Sequence, residues 1–492
     1  MKIKNTIINL ILFLLSLMLL YFSFPATHWS NYLLIWIAFV PLLFLLLKIS
    51  NHKTRFLVSW FFFQLFFILL FRINPFNLET CFYQPGNLWG TLFLVLSIPL
   101  PYAIVIFVMT LFSRKPLLQT ALFTLTEMII FQHVLSYPMA AAVTQFNNLY
   151  LLQLCSITGI YGLSFLIIFF NTSLFASLFH RNKSSFLYLT VSLLLITIAL
   201  GYGFLHINSS SDQTKKTYSL ALIQPNHSWM FAIMAQQNQV IKDQYLNNYL
   251  KMTKQAIEED QPNLVIWPEG AVKTTSASEI AKHFKEWHQD VIFGGFSIDH
   301  KTKKIQNSIY LYSADKDSLS LYSKEKLTPF FESGLFNPKK DNHPLLLNNK
   351  KLSIGPLVCF EALFSQIARK HVAQGANLLI CHSDDSFFRG SNLVILHAVY
   401  MVFRAVEFSR PAVFTNNNGL SLVADHLGRL QLISPFEQAS LSLTAIVPNN
   451  EITFHYFYPY LMFFICLALV LVFVVKEVAR GRGGQSDPNI II

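Results

Sequence analysis

The chain has 492 residues, of which 53% are hydrophobic and 13% charged, and its mean hydropathy is +0.44; this excludes an ordinary soluble enzyme and points to an integral membrane protein. The net charge of +11 does not signal a nucleic-acid binder, because most basic residues fall in short clusters beside apolar runs and form no stripe with interleaved aromatics. The five cysteines include no CxxC and no Cys/His pair at zinc spacing.

Apolar runs close to the ~20 residues that cross a bilayer are read at 6–24, 32–48, 55–71, 89–113, 117–133, 150–171, 186–206 and 456–475, or about eight transmembrane helices. Lys2 and Lys4 precede the first run as in a signal peptide. No convincing small-residue cleavage site follows and further spans come at once, so an uncleaved anchor is expected. Lys2/Lys4, Lys48/Lys53/Arg55, Arg114/Lys115, Arg181/Lys183 and Lys476/Arg480/Arg482 lie on every second loop, with Arg72 the exception. The positive-inside rule then puts both termini in the cytoplasm and the hydrophilic stretch outside, in the periplasm of a Gram-negative cell. The expected division is a bundle of about seven helices over 1–207, an extracytoplasmic domain over 208–450, and a last helix with a cytoplasmic tail over 451–492. Within 1–207 the acidic residues are Glu79 and Glu127. An ionisable group inside a span is a functional candidate by default, so Glu127 is weighed for substrate binding against snorkelling or a pairing between helices.

In the hydrophilic stretch, β-rich runs are expected at 218–223, 263–267, 290–295, 308–312, 319–322, 352–358, 377–381, 412–415, 420–424 and 443–447. Helical spacing covers 234–259 and 392–408. Strands mixed with helices, some of them continuous buried runs, give a layered α/β core rather than an all-β sandwich. Glu269 follows one of these runs through Trp267-Pro268, Lys324 follows 319–322, and Cys359 follows 352–358. Phe360-Glu361 is expected to open a helix whose N-terminal N–H groups favour a thiolate and later an oxyanion. Taken singly, each residue has an ordinary reading: a buried thiol, a solvated ammonium, a carboxylate capping a turn. Taken together they are a carboxylate, an ammonium and a thiol, the parts of a nucleophilic acyl-transfer site, with three strand ends converging at one edge of a sheet. A disulfide between Cys359 and Cys381 would silence the better-placed thiol.

The order Trp267-Pro268-Glu269, Tyr322-x-Lys324-x-x-Leu327 with Pro329-Phe330-x-Glu332, then Cys359-Phe360-Glu361 resembles the nitrilase, or carbon–nitrogen hydrolase, superfamily. Arg404-Ala405-Val406-Glu407, Arg410-Pro411 and Thr415-Asn416-Asn417-Asn418-Gly419 are similar to its membrane-embedded branch, the apolipoprotein N-acyltransferases, as are Gly159 to Phe165 and Asn171 in the membrane half. The resemblance implies a helical membrane bundle joined to a four-layer α-β-β-α domain. It implies a Glu269–Lys324–Cys359 triad that moves a fatty acyl group from a membrane phospholipid to the N-terminal amine of a diacylglyceryl-cysteine through a thioester. Glu332 and Glu361 are then expected to position Lys324 and the amine, and the backbone N–H of Phe360 to meet the oxyanion. No metal or diffusible cofactor is called for, and a monomer is expected. Trp229, Phe330, Phe331, Phe387, His397 and Glu127 stand as substrate-binding candidates. The apolar segments 229–234 and 330–336 are expected to act as lids that admit acyl chains.

Four places depart from the family pattern, one being that the family's Lys-Trp after the first strand is missing, although Trp229 lies nearby. Ser383-Asp384-Asp385-Ser386-Phe387-Phe388 stands where the family reads SNDAWF, Leu396-His397 replaces Gln-His, and Glu127-Met128-Ile129-Ile130 replaces Glu-Trp-Leu-Arg. These positions concern the substrate cavity, so the acceptor is less determined than the chemistry. The alternatives are a membrane-bound amidase that uses water, an acyltransferase for another amine and, outside enzymes, a transporter with an accessory domain.

Overall fold

The computed structural model describes residues 2–25, 30–72, 95–130, 139–209, 216–272, 277–299, 301–329, 332, 334–339, 342–347, 351–388 and 390–482. The chain divides into two compact units, Met1–Ser209 with Phe457–Ile492, and Ser210–Tyr456.

The first unit is helical. Among the described residues, Lys4–Ser23, His52–Leu70, Ile160–His180, Lys183–Ser209 and Leu461–Arg480 are long and apolar enough to cross a membrane, and Ile35–Lys48, Val95–Leu111 and Leu149–Thr158 are shorter apolar helical segments. The run expected at 150–171 is broken. Two single turns, Leu149–Leu152 and Cys155–Thr158, end at Gly159 with φ 66°, and the long helix begins only at Ile160. Gly159 takes a backbone conformation that a side chain would strain, so it turns the chain. The run at 32–48 also breaks, at Phe39 just before Pro41, which has no N–H to give the helix ladder. Asn171 mends that break from the Ile160–His180 helix: its Oδ1 accepts Phe39 N at 3.1 Å and its Nδ2 donates to Ile35 O at 2.9 Å. In lipid, a backbone group left open this way must find such a partner.

The second unit contains twelve described strands: β1 Tyr218–Gln224, β2 Leu264–Ile266, β3 Val291–Ile298, β4 Ile305–Ser313, β5 Ser318–Ser323, β6 Leu345–Leu347, β7 Leu352–Val358, β8 Leu378–Ser383, β9 Ala412–Asn416, β10 Leu422–Ala424, β11 Leu430–Ile433 and β12 Ser440–Ile446. They form two six-stranded sheets, ordered β12-β1-β2-β3-β4-β5 and β11-β10-β9-β8-β7-β6. β1, β2 and β3 run parallel, as do β7, β8 and β9, with antiparallel strands flanking each set. The sheets face each other across one apolar cluster that draws Leu222, Ile266, Ile292 and Ile309 from the first and Ile354, Val358, Ile380 and Val413 from the second. On its other face the first sheet packs Val265, Trp267 and Phe293 against Tyr245, Tyr249 and Phe284 of the helices Gln239–Asp260 and Ala277–Glu286. The helices Ser365–Ala373 and Leu393–Phe408 contact β7 and β9 of the second sheet. The result is the expected α-β-β-α layering, with strands buried on both faces and therefore continuously apolar.

Two helical readings change. The stretch read as one helix over 234–259 is two, Trp229–Gln237 and Gln239–Asp260, because Asn238 leaves the helical conformation and its side chain caps Val240 N and Ile241 N. The apolar segment 229–234 is thus a helix rather than a loop, with Met230 and Met234 exposed.

Candidate active site

The strands β2, β5 and β7 end in Glu269, Lys324 and Cys359 respectively, at the carboxyl ends where α/β layers build their sites. They do not share a sheet edge as expected. Glu269 and Lys324 belong to the first sheet and Cys359 to the second, because the two sheets stack face to face and the three ends meet across the gap.

Glu269 is set by a tight turn. Gly270 has φ 61°, and Gly294 of β3 lies so close that a Cβ there would meet Pro268 O at 2.4 Å and Glu269 Cα at 2.6 Å. Trp267 anchors the turn from below, fully buried, stacked on Tyr249 and donating Nε1–H to Thr253 Oγ1 at 2.8 Å. Both sheets hold the carboxylate: Asn307 Nδ2 of β4 donates to Oε1 at 2.6 Å, and Asp384 N beyond β8 donates to Oε2 at 3.0 Å. His382 of β8 adds a stitch between the sheets, its Nδ1 donating to Trp267 O at 2.8 Å. Burial keeps that imidazole neutral, lowering its pKa to about 4.

Lys324 has a side chain 1% exposed, with its Nζ 2.7 Å from Glu332 and 3.9 Å from Glu269. Glu332 is fixed in turn by Thr328 N at 2.7 Å and by the same Asn307 amide at 3.2 Å. One buried cation therefore serves two carboxylates that Asn307 bridges. Burial alone would lower the Lys324 pKa, but Glu332, Cys359 and Glu269 outweigh it and hold the ammonium above its ordinary value. Glu332 is lowered, since Lys324 overcomes its burial. Glu269 is raised to about 7, because burial and Glu332 exceed what Lys324 and Asn307 give back.

Cys359 sits at a sharp strand-to-turn elbow with φ 50°, a left-handed conformation rare for a residue with a side chain. The helix expected after it is only a five-residue 3-10 turn, Cys359–Leu363. The thiolate expected there is corrected as well. Burial and the Glu269 carboxylate push the thiol well above its ordinary pKa, against the opposing pull of Lys324. No full helix stands behind it to offset that push. Cys359 and Cys381 are both free, and Cys381 Sγ approaches Cys359 O at 3.6 Å.

Glu361 is fully buried and spends both oxygens on structure. Oε2 accepts Val358 N and Tyr322 OH, each at 2.8 Å, while Oε1 accepts Glu325 N at 2.6 Å and Lys326 N at 3.0 Å. It ties the cysteine elbow to the loop after Lys324, and those contacts leave it no bond to Lys324 itself. Phe360 packs its ring on Phe364. His397 lies beside the site, its Nε2 3.0 Å from Cys359 O and its Nδ1 3.1 Å from Asp385. Glu127 belongs to the helical unit, buried, with Oε1 accepting Ala141 N at 2.8 Å. Phe330 and Phe331 lie outside the described residues, as do the side chains of Trp229 and Phe387. Of the apolar segment after Lys324, Leu335 is exposed and Phe336 stacks on Phe296.

Cys359, Asp385 and His397 bring ligand-type atoms within 4.8 Å of one another. They do not suit a metal ion, because both imidazole nitrogens and both Asp385 oxygens are already engaged by protein groups. Asn307, Gly294 and His382 are site residues that the sequence reading did not single out, and Asp385 was named only within the Ser383–Phe388 departure. Asn416 and Asn417 were visible only as part of a motif, and their task is now explicit: they hold the Asp384-Asp385 loop through Asp385 Oδ2 at 2.6 Å and Asp384 Oδ1 at 3.0 Å.

Comparisons agree with this architecture. Residues 219–454 match the carbon-nitrogen hydrolase family, and residues 16–173 match the apolipoprotein N-acyltransferase N-terminal domain. The apolipoprotein N-acyltransferase of Borreliella burgdorferi is 27% identical over 453 residues, covering 83% of this chain and 84% of its own. That of Geobacter metallireducens is 28% identical over 341 residues, covering 63% and 64% respectively, so the chain spans less than two thirds of that relative. Among solved structures, a carbon-nitrogen hydrolase from Helicobacter pylori is similar at 15% identity and a TM-score of 0.38, covering 47% of this chain and 89% of that one. Saccharomyces cerevisiae Nit3, a member of branch 10 of the nitrilase superfamily, is similar at 18% identity and a TM-score of 0.39, covering 49% and 93%. With a hydrolase-type domain on one side of the chain and the N-terminal domain of these acyltransferases on the other, the chain belongs to the apolipoprotein N-acyltransferase family, the membrane-embedded branch of the carbon–nitrogen hydrolase superfamily.

Proposed function

We propose that the protein transfers a fatty acyl group from a membrane phospholipid to the N-terminal amine of a diacylglyceryl-cysteine lipoprotein, through a thioester on Cys359, with Glu269, Lys324 and Cys359 as its catalytic residues. The observation that carries the reading is the convergence of a half-buried thiol, a carboxylate and a buried ammonium at three strand ends, with Lys324 Nζ 3.9 Å from Glu269 and 2.7 Å from Glu332; burial, which raises Glu269 to about 7, agrees with it. Glu269 takes the thiol proton as Sγ attacks the ester carbonyl. Lys324 Nζ and the Phe360 N–H meet the oxyanion. Collapse breaks the ester C–O bond, and Glu269 returns its proton to the departing lysophospholipid alkoxide. The amine then attacks the thioester, its proton passes to Glu269 and on to the leaving thiolate, and Cys359 is restored. A thioester suits this two-step exchange, because thiolate is a good leaving group for an amine.

In this reading the enzyme sits in the bacterial inner membrane, with its catalytic unit in the periplasm, its termini in the cytoplasm, and no cofactor. Both substrates stay in the bilayer, since each buried CH₂ holds them there by ~0.8 kcal/mol. The test is mass spectrometry of the full chain incubated with a defined phospholipid, wild type against Cys359→Ala. A single acyl adduct on Cys359, labile to hydroxylamine and discharged by a diacylglyceryl-cysteine peptide into an N-acyl product, is the expected result. An adduct lost to water and indifferent to the peptide would leave an amidase-type hydrolase. No adduct with any lipid would refute the phospholipid donor.

A further inference from the structure

His397, on the Leu393–Phe408 helix, is buried and directs both ring nitrogens at neighbours whose hydrogen-bonding roles are fixed. Nε2 lies 3.0 Å from Cys359 O, and a carbonyl oxygen only accepts, so Nε2 carries a proton. Nδ1 lies 3.1 Å from Asp385 Oδ1. Asp385 is held as an acceptor by its other contacts: Ser383 Oγ donates to Oδ1 at 2.9 Å, and Asn416 Nδ2 donates to Oδ2 at 2.6 Å. The Asn416 amide cannot be turned over, because its Oδ1 already accepts Asp385 N, Asn418 N and Gly419 N at 3.2, 3.3 and 3.1 Å. Nδ1 therefore also carries a proton, and only an imidazolium donates from both nitrogens.

The surroundings agree with that charge. Burial opposes it, but Asp385, the two hydrogen bonds and the more distant Glu269 prevail, and the His397 pKa is raised. Of the other neighbours, Phe414 of β9 presents its ring at 5.0 Å, the Cys381 thiol of β8, itself pushed up by burial, points at the same Cys359 carbonyl, and the Cys359 thiol, within 4.8 Å, is likewise pushed up and so stays neutral beside the ring. Arg404 and Glu407, further along the same helix, pair with each other at 3.1 Å. What the imidazolium grips is the strained residue of the site. Cys359 keeps its left-handed φ of 50° only while surrounding contacts over-determine it.

We propose that His397, held as an imidazolium by Asp385, is a positioning residue: it fixes the cysteine elbow by donating to the Cys359 carbonyl, and Cys359 acylation declines when that proton leaves. Once Nε2 is bare, its lone pair faces those of the carbonyl and the elbow loses its restraint. The inference rests on Cys359 being the nucleophile, and not on the identity of donor or acceptor.

The experiment follows pre-steady-state acylation of Cys359 by p-nitrophenyl butyrate, from neutral to alkaline pH, in the full chain and in His397→Gln and His397→Phe. An activated ester reports on the nucleophile even where phospholipids are not donors, so failure of the functional reading and failure of this one are separable. Wild type should lose acylation rate as pH climbs past the raised His397 pKa. His397→Gln, whose amide donor does not titrate, should lack that decline. His397→Phe should be slower at every pH, by roughly 10²-fold as for a misplaced reacting atom, with KM for the ester little changed. A decline that persists in His397→Gln, or a His397→Phe rate equal to wild type, overturns the proposal. Should the Phe variant not fold, ¹⁵N spectra of the wild-type histidines decide: the resonance missing from His397→Gln must show both ring nitrogens protonated at neutral pH, and a neutral tautomer there refutes the assignment.

Discussion

Glu332→Gln should move the pH dependence of Cys359 acylation in a direction that simple loss of a contact would not give. In the wild type, Lys324 leans on Glu332 at 2.7 Å and stands 3.9 Å from Glu269. The glutamine amide cannot hold the ammonium, which then settles on Glu269. At an effective dielectric of ~20, closing a unit charge pair from that longer separation to that shorter one adds about 2 kcal/mol of attraction. Discounted for the partial exposure of Glu269, this lowers its pKa by roughly one pH unit, and removal of the Glu332 charge, which helps raise Glu269, acts in the same sense. The sign follows from the base role. Glu269 must be ionised to take the thiol proton, so acylation rises with pH through its folded pKa, about 7 in the wild type. In the variant this acidic limb should fall to about pH 6. The plateau should drop, by roughly threefold to tenfold, because a weaker base drives the transfer less. The assay is the acylation burst measured from acid to neutral pH. A limb that stays in place or moves upward would refute the shared-cation account, and with it Glu269 as the base.

Two further substitutions probe how the site is held. Gly294→Ala puts a Cβ within 2.4 Å of Pro268 O and 2.6 Å of Glu269 Cα, so the turn must move outward; acylation should fall roughly 10²-fold with Tm lowered only modestly, and unchanged activity would show that the close approach does not place Glu269. Glu361→Gln turns one acceptor oxygen into an amide donor facing two of the four groups that now donate to it. Leaving buried donors opposed should cost about 2–3 kcal/mol and lower Tm by several degrees in a thermal melt, whereas a melt like wild type would mean the cysteine elbow and the lysine loop are not tied through Glu361.

The sequence displayed the layers and the three chemical groups because both are local signals. Continuous runs such as Leu352–Val358 and Ala412–Asn416 read as strands since each is buried on both faces. Shorter elements escaped: β6 and β11 are edge strands of three and four residues, too brief for any period to show. The breaks at Gly159 and Asn238 were hidden by unbroken apolar or amphipathic periodicity around them, which a single turn-forming residue overrides. The placing of Glu269 and Cys359 on separate sheets was not legible at all, because strand order across a sandwich is set by contacts far apart in sequence. Asn307 shows the same limit. Nothing about an asparagine in the run Gln306-Asn307-Ser308 marks it, and its role exists only once β4 brings it between Glu269 and Glu332.

The resting state of the thiol is where sequence and structure part most usefully. A strand followed by Cys-Phe-Glu suggested a thiolate stabilised by a helix N-terminus. The structure instead supplies only a short turn, with partial burial and a nearby carboxylate that favour the protonated thiol. The ammonium lies 3.9 Å from the carboxylate, so a proton moving from Cys359 to Glu269 leaves a thiolate beside a cation that no longer faces an ionised Glu269. In the proposed mechanism, the attraction Lys324 divides between two carboxylates at rest is then redirected to sulfur, and next to the oxyanion, as charge develops there. An arrangement that withholds the thiolate until a carbonyl is present loses no rate if proton transfer and attack are concerted, and it spares a half-buried cysteine from the oxidation that follows thiolate character. The raised thiol pKa is therefore consistent with a nucleophile, provided a base stands beside it, and in the proposed mechanism Glu269, raised to about 7, is that base.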